Sequence, residues 1–175
     1  IIIVIFGFFF ATVSSRLVGL IGSSNNPVSG MTIAALLITS ILIKAMGNTG
    51  HDGMMMAISI GTVICVIAAI SGDTSQDLKT GFLVGATPYK QQIGELIGVA
   101  VSALVIGAIL WLLDSSWGYG TEELPEPQGI LMKLIIEGVM GGSLPWGLVF
   151  AGAFIAVVVE ILGIPVLPFA VGLYL

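Results

Sequence analysis

The feature that most constrains this chain is its series of long apolar runs, separated by short polar stretches. A helix needs about 20 mainly apolar residues to cross roughly 30 Å of hydrocarbon. Five runs come near that length, at about 2–22, 30–47, 54–71, 93–113 and 145–163. The sequence therefore predicts an all-α protein, a polytopic transmembrane helix bundle.

Two further apolar segments do not form simple spans. Residues 129–142 would give only about 20 Å of helix, which is too short to cross alone. We expect this segment to be re-entrant or interfacial, so that the bundle contains discontinuous helices. Residues 164–175 begin a further span, which Pro165 and Pro168 interrupt. Because the chain opens and closes inside apolar runs, we expect residues 1–175 to be a single transmembrane region, a fragment of a larger protein.

The composition supports a membrane protein and argues against several other classes. The hydrophobic fraction is 57% and the charged fraction 9%, whereas soluble domains carry roughly 25% charged residues. A net charge of −5 provides no basic surface for nucleic acid, so no nucleic-acid partner is expected. The single cysteine, Cys65, excludes a disulfide framework or a cysteine zinc site. Since no GxSxG or HExxH motif occurs either, we expect no catalytic residue, no metal site and no cofactor.

Small residues recur every four positions in several runs, which would place them on one helix face and let membrane helices approach closely. Scatter from the 24 glycines of the chain is the alternative explanation. The stripes are Gly7, Ala11, Ser15 and Gly19; Ala57, Gly61, Cys65 and Ala69; Gly94, Gly98 and Ser102; and Gly152 and Ala156, with Glu160 next in line.

Basic residues in short loops indicate the cytoplasmic side of a membrane protein. The stretch 71–92 carries Lys79 and Lys90, whereas 114–129 carries four acids and no base. We therefore place the first stretch in the cytoplasm as a loop and the second outside.

The polar stretch "SSNNPVSG", residues 23–30, separates the first two runs without any charged residue. Pro27 removes a backbone donor and disfavours helix at Asn26, while Gly30 permits unusual dihedral angles. Such a stretch is a plain connector at the membrane surface, or it is the unwound backbone with which transporters line a binding site. The spacing alone leaves both interpretations open.

A second polar stretch, "GDTSQDLKTG", covers residues 72–81. Thr74 and Asp77 have the spacing of a capping box, which predicts a short helix start within the loop. Asp73 and Asp77 would then share one face, and two close carboxylates are suited to handling protons. An ordinary solvated loop has the same composition.

Three ionisable residues fall inside apolar runs, where such groups are costly and mark functional sites. Arg16 is near a helix end, so it either extends its charge to the interface or serves as a counter-charge. Glu95 lies early in its run and is either interfacial or functional. Glu160 continues a stripe of small residues and is predicted to face the bundle interior.

The motifs resemble the oligopeptide transporter family, in its prokaryotic branch and C-terminal half. The matching blocks are "FGFFFATVSSRLVGLIGSSNNPVSGMTIAALLIT", "SGDTSQDLKTGFLVGATPYKQQIGELIGV", "LPEPQGILMKLIIEGVMGGSLPWGL" and "VEILGIPVLPFAVGLYL". The resemblance implies a secondary transporter that imports short peptides or metal–chelate complexes together with protons. It also implies a multi-pass protein of the plasma (bacterial inner) membrane, whose partners are the lipid bilayer and the remaining spans of the transporter.

Together, the residues and the resemblance predict two site elements. The substrate pathway would comprise Asn25, Asn26, Pro27, Ser29 and Gly30. The gate or coupling element would comprise Asp73, Gln76, Asp77 and Lys79, with Glu160 as proton carrier and Arg16 as counter-charge. A passive channel or a structural membrane subunit is the alternative function.

Overall fold

The chain is built from apolar helices joined by short turns. A computed structural model describes residues 1–174, apart from the side chains of Leu167, Val171 and Tyr174. Its elements are α1 (Ile2–Ile21), a 3₁₀ turn (Ser23–Asn25), α2 (Val28–Ala45), α3 (His51–Leu83), α4 (Pro88–Ser116), α5 (Pro127–Gly141), α6 (Trp146–Ile161) and α7 (Val166–Tyr174). The described residues contain no strand, which confirms the predicted all-α class.

Helices α1 to α4 are each long and apolar enough to cross a membrane. Helices α5 and α6 have 15 and 16 residues, and they meet at a bend of 112°. Counted together they form a fifth, broken span or a re-entrant loop. The structure therefore shows a polytopic helix bundle that contains one discontinuous element. Leu175, the last residue of the further span predicted at 164–175, lies outside the described residues.

Helix α3 corrects the prediction of a loop at 71–92. The helix continues through the whole polar stretch to Leu83, for 33 residues in all, or about 50 Å. The predicted helix start at Thr74 is therefore wrong, because these residues lie inside a continuous helix. Serine, threonine, glutamine and aspartate weaken a helix only slightly, so polarity alone does not end one.

The actual end of α3 is a glycine stop. Gly85 adopts φ 77°, a left-handed conformation that favours glycine. The Ala86 N–H donates to the Gly81 carbonyl (2.8 Å) and the Gly85 N–H to the Phe82 carbonyl (3.3 Å), which is the pattern of a Schellman motif. Pro88 then begins α4 at the position where a missing N–H costs nothing. The turn between the two helices thus shrinks to residues 84–87.

The core forms where α1 and α2 pack on α3 and α5 packs on α2. The buried face of α3 consists of Gly53, Ala57, Gly61, Ile64, Ala68 and Gly72. The predicted stripe is correct for Ala57 and Gly61 but not for Cys65 and Ala69, which are half-buried. A strict four-residue stride drifts by about 40° per step on a helix of 3.6 residues per turn. In the structure, one three-residue step, from Gly61 to Ile64, corrects this drift and keeps the buried residues on one face of α3.

We expect Gly61→Ala to destabilise the bundle. A Cβ at Gly61 would overlap Leu36 Cδ2 and lie 2.8 Å from Leu36 Cγ, and Leu36 is itself buried. The cost of overpacking should exceed the gain in helix propensity, so that the free energy of unfolding falls by about 1–2 kcal/mol. Thermal unfolding of the purified full-length protein measures this effect. Gly98→Ala is the control, since no atom lies within 4 Å of that Cβ, and equal behaviour of the two variants would contradict the packing.

Helix α4 differs from its neighbours because none of its residues is buried. It contacts the rest of the described chain through α3, close to the turn at 84–87. The small residues Gly94 and Gly98, predicted as a packing stripe, face open space, since a Cβ added at either would meet no atom within 4 Å. Helix α4 therefore separates the turn at 84–87 from the acidic loop after Ser116 by its full length of about 40 Å.

We expect the two ends of α4 to lie on opposite sides of the membrane. In a background with Cys65→Ser, Ala86→Cys should resist an impermeant thiol reagent added outside, and Glu122→Cys should react. Both positions are exposed, so labelling reports sidedness instead of burial. If Ala86→Cys is labelled and Glu122→Cys is not, the orientation in the membrane is the opposite of the predicted one.

Candidate functional site

The chain leaves α-helical geometry between Ile21 and Val28. Gly22 adopts φ 80°, and its N–H still donates to the Val18 carbonyl. Asn26 is extended (φ −62°, ψ 120°), the conformation that a following proline imposes. The break predicted in "SSNNPVSG" is therefore present, and its depth in the membrane stays a prediction. Ser29 and Gly30, however, lie in the first turn of α2.

Asn26 is held against α1 and α3 by a partly buried chain of two hydrogen bonds. Its Nδ2 donates to Ser14 Oγ (2.9 Å), and Ser14 Oγ donates to the Ala68 carbonyl (2.5 Å). Gly72 makes room for this contact, because a Cβ there would lie 2.6 Å from Asn26 Nδ2 and 2.9 Å from Ser14 Oγ. Asn26 Oδ1 is buried and has no hydrogen-bond partner among the described residues.

The polar part of α3 supplies the partners of the break. Gln76 Oε1 accepts from the Ser23 backbone N–H at 2.6 Å. Nearby, Ser15 Oγ donates to the Ser71 carbonyl (3.1 Å), and Ser75 Oγ donates to the Ser15 carbonyl (3.3 Å). The two polar stretches of the sequence thus meet in space. We call the set Ser14, Ser15, Asn26, Gly72 and Gln76 the polar seam.

We expect Gln76→Leu to loosen the break, since the Ser23 N–H would lose its acceptor. The free energy needed to open the break should fall by about 1 kcal/mol, which is the net contribution of one such hydrogen bond. Hydrogen–deuterium exchange of the segment 22–28 in the full-length protein should accelerate several-fold. Gln76→Glu keeps an acceptor oxygen and should exchange nearly as slowly as the unchanged protein. Equal acceleration in both variants would show that the hydrogen bond does not hold the break.

The remaining predicted gate residues are exposed on α3. Asp73 and Asp77 are one turn apart and share a face, although they belong to a continuous helix. The Lys79 ammonium lies 5.4 Å from the centroid of the Phe82 ring, a cation–π distance. Asn25 is also exposed, and its Nδ2 donates to the Ile21 carbonyl at 3.2 Å.

Arg16 and Glu160 line one cleft, although they are far apart in the sequence. The cleft has a volume of about 430 Å³ and lies between α1 and the segment that joins α6 to α7. Glu160 is exposed, whereas the preceding Val159 is buried, so the carboxylate belongs to the cleft wall and not to a packed helix interface. In the described part of the chain, no ion pair within 4.0 Å involves either residue.

The structure also shows a polar contact between α3 and α4 that the sequence did not reveal. Thr74 Oγ1 donates to Glu95 Oε2 at 3.1 Å. Glu95 Oε1 and Gln91 Oε1 are buried without a partner among residues 1–174, and Gly81 leaves the space that Gln91 occupies. The sequence marked Glu95 as an ionisable group inside a run. Its partner Thr74 could not be inferred, because a loop at 71–92 does not place Thr74 on a helix face beside α4.

Lys44 has a structural partner that no sequence signal indicated. Its Nζ donates to the Val139 carbonyl at 2.7 Å. Val139 is in the last turn of α5, where carbonyls lack partners within the helix and a positive charge is favourable. Lys44 therefore ties the end of α2 to the bend between α5 and α6.

Comparison with known proteins identifies the family. The model of the family "OPT oligopeptide transporter protein" matches residues 1–175. The chain belongs to the oligopeptide transporter (OPT) family. The resemblance seen in the sequence is thereby confirmed. The members of this family are transporters, and helices α1 to α4 of this OPT chain are each long and apolar enough to cross a membrane.

The relatives of this OPT chain carry two kinds of name. It is 33% identical to the "Putative oligopeptide transporter" of Haemophilus influenzae, over 98% of this chain and 32% of that protein. It is 28% identical to the "Probable metal-nicotianamine transporter YSL11" of Oryza sativa subsp. japonica, over 67% of this chain and 18% of that protein. The chain thus spans about a third, or less, of the length of these relatives. No solved structure matches it significantly.

Proposed function

We propose that the chain is part of a proton-coupled secondary transporter that imports short oligopeptides or metal–chelate complexes across the plasma membrane. The names of the relatives support both substrate classes. The observation that carries the proposal is the polar seam, in which Gln76 and Ser14 hold a break in α-helical geometry between two membrane-length helices.

The break is suited to a solute because most of its own N–H groups already have partners, in backbone carbonyls of the turn and, for Ser23, in Gln76. In hydrocarbon, each unsatisfied backbone group costs several kcal/mol, so irregular backbone persists only beside protein, water or a solute. Asn25, Asn26 and Pro27 form the break, while Ser29 and Gly30 belong to the first turn of α2. The free N–H groups of such a turn favour a carboxylate or another anion. Asn26 Oδ1 is buried and unpartnered among the described residues, so it becomes an acceptor for a substrate N–H group when the break opens.

In this proposal, Asp73, Gln76, Asp77 and Lys79 form the gate. Asp73 and Asp77 flank Gln76 on α3, and Gln76 holds the Ser23 N–H. Protonation of either carboxylate removes a negative charge beside that hydrogen bond. Because this hydrogen bond holds the break, proton uptake is linked to whether the break is held or released. Glu160 is a second candidate for the proton carrier, with Arg16 as its counter-charge.

We expect Asp73→Asn and Asp77→Asn to remove most of the stimulation of uptake by an inward pH gradient. Uptake of trialanine and of iron–nicotianamine into proteoliposomes of the full-length transporter measures this, with and without the gradient. Exchange across the membrane at equal pH should be largely kept, because it needs no net proton movement. Asp114→Asn, at the far end of α4, is the matched control.

The same assay separates the alternatives. A passive pore would give uptake that the gradient does not change, and a structural subunit would give none. Silent substitutions at both aspartates, in a transporter that still responds to the gradient, would show that the exposed face of α3 is only solvated.

A further inference from the structure

We propose that the cleft lined by Arg16 and Glu160 binds a small zwitterion by both of its charges. Arg16 would hold the carboxylate of the ligand, and Glu160 would hold its ammonium group. The inference rests on the proposed transport function, names the chemistry of the substrate, and adds the cleft to the break as a second place of contact along the substrate pathway. It gives Glu160 the role of a ligand-binding carboxylate in place of a proton carrier.

The first support is the placement of two opposite charges on one cleft without direct pairing. Helix α1 contributes Arg16, and the end of α6 contributes Glu160. The described structure contains an ion pair at Lys133 and Glu137 on α5, 3.8 Å apart, but none within the cleft. Two charges that line one space while remaining apart fit a ligand that carries the complementary charges on its two ends.

The second support is the cost of these charges among membrane helices. Ionisable groups at such positions are usually paired or face a polar pathway. A guanidinium presents a planar fork that matches a carboxylate with two parallel hydrogen bonds. A carboxylate in turn accepts the hydrogen bonds of an ammonium group. One zwitterion satisfies both residues and adds no net charge to the cleft.

The third support is the size and lining of the cleft. The cleft is a half-open depression of about 430 Å³, which is large enough to hold a small molecule. Val13 and Leu17 provide apolar wall for the uncharged middle of a ligand. Pro165 and Pro168 line the side near Glu160 and have no backbone N–H. The two prolines therefore present no donor that would compete with Glu160 for the ammonium end of the ligand.

Two kinds of substrate have this chemistry. A short peptide carries an ammonium group at one end and a carboxylate at the other. A metal chelator built from amino and carboxylate groups carries the same two functions. Trialanine and iron–nicotianamine are therefore used as separate probes.

The test measures equilibrium binding of probes to the purified full-length transporter and to two variants, Glu160→Gln and Arg16→Gln. Trialanine is compared with its N-acetylated form, which lacks the ammonium group, and its C-amidated form, which lacks the carboxylate. Glu160→Gln should weaken trialanine binding about tenfold, a typical value for a lost charge-assisted hydrogen bond. It should leave the affinity for N-acetyltrialanine unchanged.

Arg16→Gln should give the complementary result. It should weaken trialanine and N-acetyltrialanine about tenfold and leave the C-amidated form unchanged. Lys133→Gln and Glu137→Gln are the controls, because they remove equal charges from an exposed ion pair on α5. Neither control should alter trialanine binding.

Each other outcome has a definite meaning. If iron–nicotianamine binds in place of trialanine and both cleft variants weaken it, the zwitterion is the chelator and the inference stands. If the cleft variants weaken capped and uncapped peptides equally, the inference is wrong. It is also wrong if the variants bind trialanine normally but lose the dependence of uptake on the proton gradient. In both cases the proposed transport function stands. If the unchanged protein neither binds nor imports either probe, the inference and the proposed function both fail.

Discussion

The close packing of α1 on α3 is the contact on which the rest of the structure depends. Gly72 lacks a side chain, and only for that reason can Asn26 Nδ2 and Ser14 Oγ approach the backbone of α3. That approach brings the break within reach of Gln76. Because hydrocarbon offers no hydrogen bonds to exposed backbone, the Ser23 N–H, which has no backbone partner in the turn, depends on a side chain that the neighbouring helix α3 supplies.

The sequence predicted the helical class and the position of the break because both depend on local features. Apolar runs of sufficient length indicate spans, and Pro27 indicates extended backbone at Asn26. The extent of α3 could not be predicted in the same way, since polar residues are typical of loops and yet weaken a helix only slightly. The glycine stop at Gly85 was the better signal, because it supplies the left-handed conformation that a Schellman motif requires.

The contacts of the site could not be predicted because they join distant parts of the chain. Gln76 and Ser23 are 53 positions apart, and Lys44 and Val139 are 95 apart. Sequence spacing identifies faces of one helix but not which faces meet. The predicted set was nevertheless partly brought together, since Asn26 and Gln76 both belong to the polar seam and Arg16 and Glu160 share one cleft.

Helix α1 links the polar seam to the cleft. Ser15 bonds to α3, while the next residue, Arg16, lines the cleft, because successive residues on a helix point about 100° apart. The break follows directly at the end of the same helix. A rotation or shift of α1 would therefore change the hydrogen bonds of Asn26 and the position of the Arg16 charge together. The two regions differ in chemistry, one uncharged and one with opposite charges, and a single rigid helix is the physical connection between them.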